Sequence, residues 1–239
     1  MRDDVVPVKS AFTYTPGCVA ALEASLSAER LGTYLRKSKG NREQAIRLHI
    51  WNTAVSAAFY GPLQCLEITL RNAMHARLSE AYGLTWYDDP SGILDHGTHT
   101  RIAGAREDLK RDGYPDDPPH VVAALPFGFW IMLLGAGGRM TAGGKANYEM
   151  TIWRKAGFRV FRHSRVTRKA AHKPLNYLRT LRNRIAHHEP IIDRHLAADY
   201  ASIQQVMAWM APDIGLWMDH HSRVAELLAF SPDSPDLTF

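Results

Sequence analysis

The chain has 239 residues, 46% hydrophobic and 22% charged, with a formal net charge of +5, which is enough apolar material for one sizeable core. Its two cysteines, Cys18 and Cys65, have no CxxC spacing, which argues against a disulfide framework or a thiolate zinc site. The start Met1-Arg2-Asp3-Asp4 does not read as a secretion signal, and the longest apolar run, Val121 to Leu134, is broken by Pro126 and Gly128 and falls short of the roughly 20 residues that span a bilayer, so a cytoplasmic protein is expected.

Helical periodicity dominates and alternating strand patterns are scarce, so the expected fold class is all-α. Residues 1–18 read as an N-terminal segment, 19–230 as one helical domain and 231–239 as a frayed tail. The spacing predicts helices over 19–37 and 42–60, with Gly40-Asn41 as the break. Gly61-Pro62 then opens a third, to about Tyr82, whose apolar stripe is Leu63, Leu66, Leu70, Met74 and Leu78. Residues 88–92 and 113–119 read as loops around a short helix over 99–111. Residues 121–134 read as a buried helix, bent or started near Pro126.

Gly135 to Gly144 is a glycine-rich loop. It is not a phosphate-binding P-loop, because Gly144 stands where the lysine is needed. A further helix is predicted from Pro174, a residue suited to the first helical position, to just before Pro190. Two more follow over 193–211 and 213–230, with Pro212 at their junction.

Charge is unevenly spread. Between Glu149 and Glu189 there is no acid, and the interval carries Arg154, Lys155, Arg159, Arg162, Arg165, Arg168, Lys169, Lys173, Arg179, Arg182 and Arg184, plus four histidines. Without those cations the chain would hold more acids than bases. A solvated surface normally mixes signs, so this one-sidedness points to a phosphate backbone. Trp153, Phe158, Phe161 and Tyr177 lie among the cations, either to stack on bases or as core.

The helix over 174–189 carries a polar cluster at one end. Leu178, Leu181, Ile185 and His188 fall on its buried side at 3-4-3 spacing. Asn183 and His187 are four apart, and Arg182 sits beside Asn183 with a side chain long enough to converge on the same space. Glu189 has the spacing to pair with Arg182. Such a set suits metal-free RNA cleavage, in which a ribose 2′-hydroxyl attacks the adjacent phosphorus. Histidine moves the proton near neutral pH, arginine stabilises the phosphorane, and Asn183 orients His187 or holds a phosphate oxygen. A second histidine is needed as acid, so a homodimer with a composite site is expected. From spacing alone, Arg-x4-His is a pattern that occurs often by chance.

The stretch Leu178-Arg179-Thr180-Leu181-Arg182-Asn183-Arg184-Ile185-Ala186-His187-His188-Glu189-Pro190-Ile191 resembles the signature of the Abi-like family, bacterial abortive-infection proteins of the AbiD/AbiF type within the HEPN superfamily. Three other segments resemble the same family in order: Tyr60 to Glu67 with Leu70-Arg71-Asn72, Gly83 to Tyr87, and Leu125 to Trp130.

The resemblance implies a HEPN-like helical bundle with flanking helices. It also implies a metal-independent endoribonuclease with Arg182, Asn183 and His187 as its centre, acting in abortive infection or as a toxin restrained by a protein or small-RNA antitoxin. Arg71, Asn72 and Glu67 match the family pattern. Glu67, Arg71 and His75 form a line at i, i+4 and i+8, which reads as a surface ion-pair ladder, whereas the family match makes Glu67, Arg71 and Asn72, together with His188, the expected support of the active site. The expected RNA contacts are Arg154, Lys155, Arg159, Arg162, Arg165, Arg168, Lys169, Arg179 and Arg184. No cofactor, metal or membrane contact is expected, since His96-x-x-His99 and His220-His221 lack a carboxylate or thiolate at ligand spacing. The alternatives are a non-catalytic RNA-binding module, and a scaffold using aromatic segments such as Phe127 to Trp130 to bind a protein.

Overall fold

A computed structural model describes residues 12–234 and 237–239. The expected segments 1–18 and 231–239 therefore lie partly outside the described residues. Among the described residues there is no strand, only an isolated bridge between Arg139 and Lys145. The described residues form, in order, the α-helices α1 Pro16–Leu26, α2 Ala28–Lys37, α3 Arg42–Tyr82, α4 His96–Arg111, α5 Pro118–Ala124, α6 Phe127–Met132, α7 Arg168–Ala186, α8 Leu196–Met210, α9 Pro212–His220 and α10 Val224–Ala229. The chain is all-α.

Several boundaries differ from the sequence expectation, each for a local reason. The helix expected over 19–37 is two, divided at Ser27. Its φ of 66° ends α1, and its hydroxyl accepts from the Arg30 N–H to start α2. Conversely, Gly61-Pro62 does not open a helix, because α3 runs through it for 41 residues. An interior proline costs about 3 kcal/mol, and burial of Phe59, Leu63 and Leu66 on either side offsets it.

The apolar run 121–134 is split between α5 and α6 at Leu125, held extended (ψ 121°) by the proline that follows. α4 begins at His96, capped by Asp95. α7 begins at Arg168, where the Thr167 hydroxyl accepts from the Ala170 N–H at 3.3 Å. Pro174 therefore lies inside that helix and not at its first position. The helix expected over 213–230 is broken into α9 and α10.

The chain divides into two compact units, each assembled from discontinuous stretches. One comprises the chain to Tyr60, Arg184–Ala197 and Ser222 onward. Leu31, Tyr34 and Ala45 centre a core there, with Leu26, Leu35, Leu48 and Ile192 against it. Buried Asn52 accepts from the Ile191 N–H at 2.8 Å, and the Trp51 indole donates to the Phe230 carbonyl at 3.1 Å.

The other unit comprises Gly61–Asn183 and Ala198–His221. All five residues of the expected α3 stripe are buried in it, as are Leu175, Leu178 and Leu181 of α7. Trp86 meets Phe129 and Trp130 at ring-centroid distances of 6.3 and 6.0 Å. Phe127 to Trp130 is thus core at its aromatic positions, and those rings are not available as a partner surface.

Candidate functional site

The C-terminal end of α7 is set by its cap. His188 adopts φ 55°, its N–H bonds the Ile185 carbonyl at 3.0 Å, and the Glu189 N–H bonds the Arg184 carbonyl at 2.8 Å. This pair of bonds is the Schellman closure, with His188 in the left-handed position usually given to glycine. The backbone reversal puts His188 in solvent. It is not on the buried stripe where a continuous helix would place it. Its carbonyl, and not its ring, is held by the fold, accepting from Arg30 Nη1 at 3.0 Å.

Arg182 and Asn183 lie in the last turns of α7, both half-buried, and His187 follows in the capping turn with an exposed ring. The Arg182 guanidinium is paired with Glu67 of α3 at 3.5 Å. Glu189 pairs with Arg184 instead, at 3.2 Å. Among the described residues, the His187 ring has neither a hydrogen bond nor an ion pair. Arg182 and Asn183 fall in the second unit and His187 in the first, so the last turns of α7 carry an anchored cation and an amide, and its capping turn a free imidazole.

The residues expected to support this cluster separate. Glu67 reaches Arg182. Arg71 donates to the Asn72 side chain at 3.3 Å, and both line a different cavity of about 470 Å³ with His75, Leu84 and Pro118. Burial lowers the pKa of His75, and its Nδ1 accepts from the Trp86 indole at 3.1 Å.

The cations of the acid-free interval also divide. Arg168 is buried, donating to Glu149 at 2.8 Å and to the Leu134 carbonyl at 2.8 Å. It is committed to the fold and does not serve as a surface contact. Arg154 pairs with Glu149, and Arg159 with Glu80. Arg162 donates to the His163 ring. Lys155, Arg165, Lys169 and Lys173 are exposed, and none has an ion pair among the described residues. Of the interspersed aromatics, Trp153 and Phe161 are core while Phe158 and Tyr177 are exposed.

Sequence reasoning passed over a cleft of about 850 Å³ in the second unit. One wall is the loop Gly135–Arg139. Another is the α7 stripe His172, Asn176, Arg179 and Asn183, spaced i, i+4, i+7 and i+11 on one helix face. Burial and the cations Arg168 and Arg179 lower the pKa of His172. The signal was present as that polar spacing, but it points at a cavity only once the glycine loop is known to lie opposite.

Among the described residues no group of three or more His, Cys, Asp or Glu side chains gathers to hold a metal ion, and no helix is long and apolar enough to cross a membrane. No family model, curated protein or solved structure matches the chain.

Proposed function

We propose that the chain is a metal-independent endoribonuclease of the Abi-like type, acting in abortive infection or as the toxin of a toxin–antitoxin pair. The observation that carries the reading is the exposed, unpartnered His187 imidazole five residues beyond Arg182, at the open end of α7. The motif resemblance and the unpaired cations at Lys155, Arg165 and Lys169 support it.

In the proposed reaction His187 takes the proton of a ribose 2′-hydroxyl as its oxygen bonds the adjacent phosphorus. Arg182, oriented by Glu67 until phosphate arrives, and Asn183 donate hydrogen bonds to the phosphorane oxygens. The P–O5′ bond breaks, and a protonated histidine from a second subunit delivers a proton to the leaving oxygen. The products are a 2′,3′-cyclic phosphate and a 5′-hydroxyl.

The test incubates purified protein with RNA in EDTA and analyses the ends. Wild type should cleave, with His187→Ala and Arg182→Ala slower by about 100-fold or more. Activity should track the dimer fraction on dilution. If both variants cleave like wild type, the reading fails.

A non-catalytic RNA-binding module is the second reading, favoured by exposed cations that do not depend on His187. It predicts salt-sensitive binding with no cleavage of any RNA.

A further inference from the structure

We propose that the large cleft of the second unit, which shares Asn183 with the site proposed above but draws its cations from Arg101, Arg139 and Arg179, is a binding site for a nucleotide phosphate. Three guanidiniums line it, those of Arg101, Arg139 and Arg179. None has a carboxylate partner among the described residues. Arg179 spends one N–H on the Asn176 side chain, at 3.1 Å, leaving four donors of its five.

The one acid in the lining is Asp95, and it is already used. One carboxylate oxygen accepts from the Thr98 N–H and hydroxyl at 2.8 Å each, and the other from the Gly138 N–H at 2.6 Å. Asp95 therefore braces the wall, and its single negative charge offsets only one of the three cations. Three guanidiniums against one carboxylate leave the concavity net positive, which focuses a positive potential into it, and planar guanidinium forks match phosphate oxygens in pairs.

The loop opposite α7 is built to keep its backbone at the wall. Gly137 has φ +85°, and a Cβ there would lie 2.6 Å from the Ala146 carbonyl oxygen. At Gly138 a Cβ would meet the Asp95 carboxylate at 2.9 Å. Only glycine fits at 137, and at 138 a Cβ would push aside the carboxylate that accepts from that residue's own N–H. Pro126, Ile131 and Met132 supply apolar lining, suited to a ribose or base. A volume of about 850 Å³ falls in the usual range for small-ligand sites, roughly 300–1,000 Å³. The ligand is thus a phosphate carried on a nucleoside, as a free nucleotide or within an RNA strand.

The experiment titrates the full chain calorimetrically with adenosine 5′-diphosphate and, separately, with a trinucleotide RNA methylated at its 2′-oxygens so that it cannot be cleaved. The variant is Arg101→Gln with Arg139→Gln, both at exposed positions, with an unchanged melting temperature as the folding check. At least one probe should bind wild type and bind the double variant about 100-fold more weakly, roughly tenfold per lost charged contact. Binding of the diphosphate assigns the site to free nucleotide; binding of the trinucleotide alone assigns it to an RNA strand. The proposal is overturned if neither probe binds wild type, or if the double variant binds both equally well. Failure here leaves the cleavage assay in EDTA to be read on its own, and failure of that assay leaves these titrations readable.

Discussion

His188 closes α7 with a φ of 55°, a conformation that costs roughly 1–2 kcal/mol in a residue carrying a Cβ. His188→Gly keeps the capping bonds and the carbonyl that Arg30 donates to, so it should stabilise the protein by up to about 1 kcal/mol in urea unfolding. Cleavage should stay at the wild-type level; a fall would return His188 to the chemistry. The sequence placed this histidine on an apolar stripe because periodicity assumes the helix continues, and only the cap reveals the reversal. At His75 the issue is protonation. Burial holds its pKa below the ordinary 6.5, and Nδ1 must stay unprotonated to accept from Trp86. His49 and His172 are lowered by burial as well. Between those folded values and 6.5 the unfolded chain binds more protons, so stability is full above 6.5 and is lost as pH falls through that window. His75→Asn keeps an acceptor near the Nδ1 position, so the drop in melting temperature between about pH 7 and about pH 5 should shrink. An unchanged drop would remove His75 from the account.

Helical character was legible along most of the chain, but neither its division into separate helices nor the helix ends were. The α3 stripe from Leu63 to Leu78 is buried as its spacing predicts, because a five-residue apolar series specifies one face regardless of where the helix stops. Proline and glycine favour breaks, and both α3 and α7 override them where flanking apolar residues are buried. In α7 the start is fixed by the Thr167 cap, so Pro174 removes an interior hydrogen bond to the Ala170 carbonyl. Pro174→Ala should restore that bond and raise stability by about 1–3 kcal/mol, measured by denaturant unfolding. A loss of stability would mean that the proline ring supplies packing worth more than the missing bond. The same helix explains why the cleft escaped notice. Its polar residues face a loop 33 to 48 positions earlier in the chain, and no spacing rule reports that contact.

For the molecule as a whole, the acid-free interval made a statement about charge that the structure divides in two. Composition records where cations lie in the chain, but pairing is a matter of tertiary neighbours. Glu149, Glu80 and Glu67, all outside the interval's interior, neutralise Arg154 with Arg168, Arg159 and Arg182. The two compact units were equally invisible, since each gathers stretches far apart in the chain with no shift of composition between them. What remains for a polyanion is the unpaired set, and it can be separated from the paired one. Replacing Lys155, Arg165 and Lys169 together with alanine should weaken RNA binding and lower the slope of log K against log salt by about 2, since each phosphate contact on a single strand contributes roughly 0.7. Replacing Arg154, Arg159 and Arg184 together removes the same formal charge, but each of these is already partnered by a glutamate. Their slope change should be less than half as large. Fluorescence anisotropy with a labelled RNA across a salt series reads both slopes. Equal changes in the two triple variants would show that net charge, and not local pairing, governs the association.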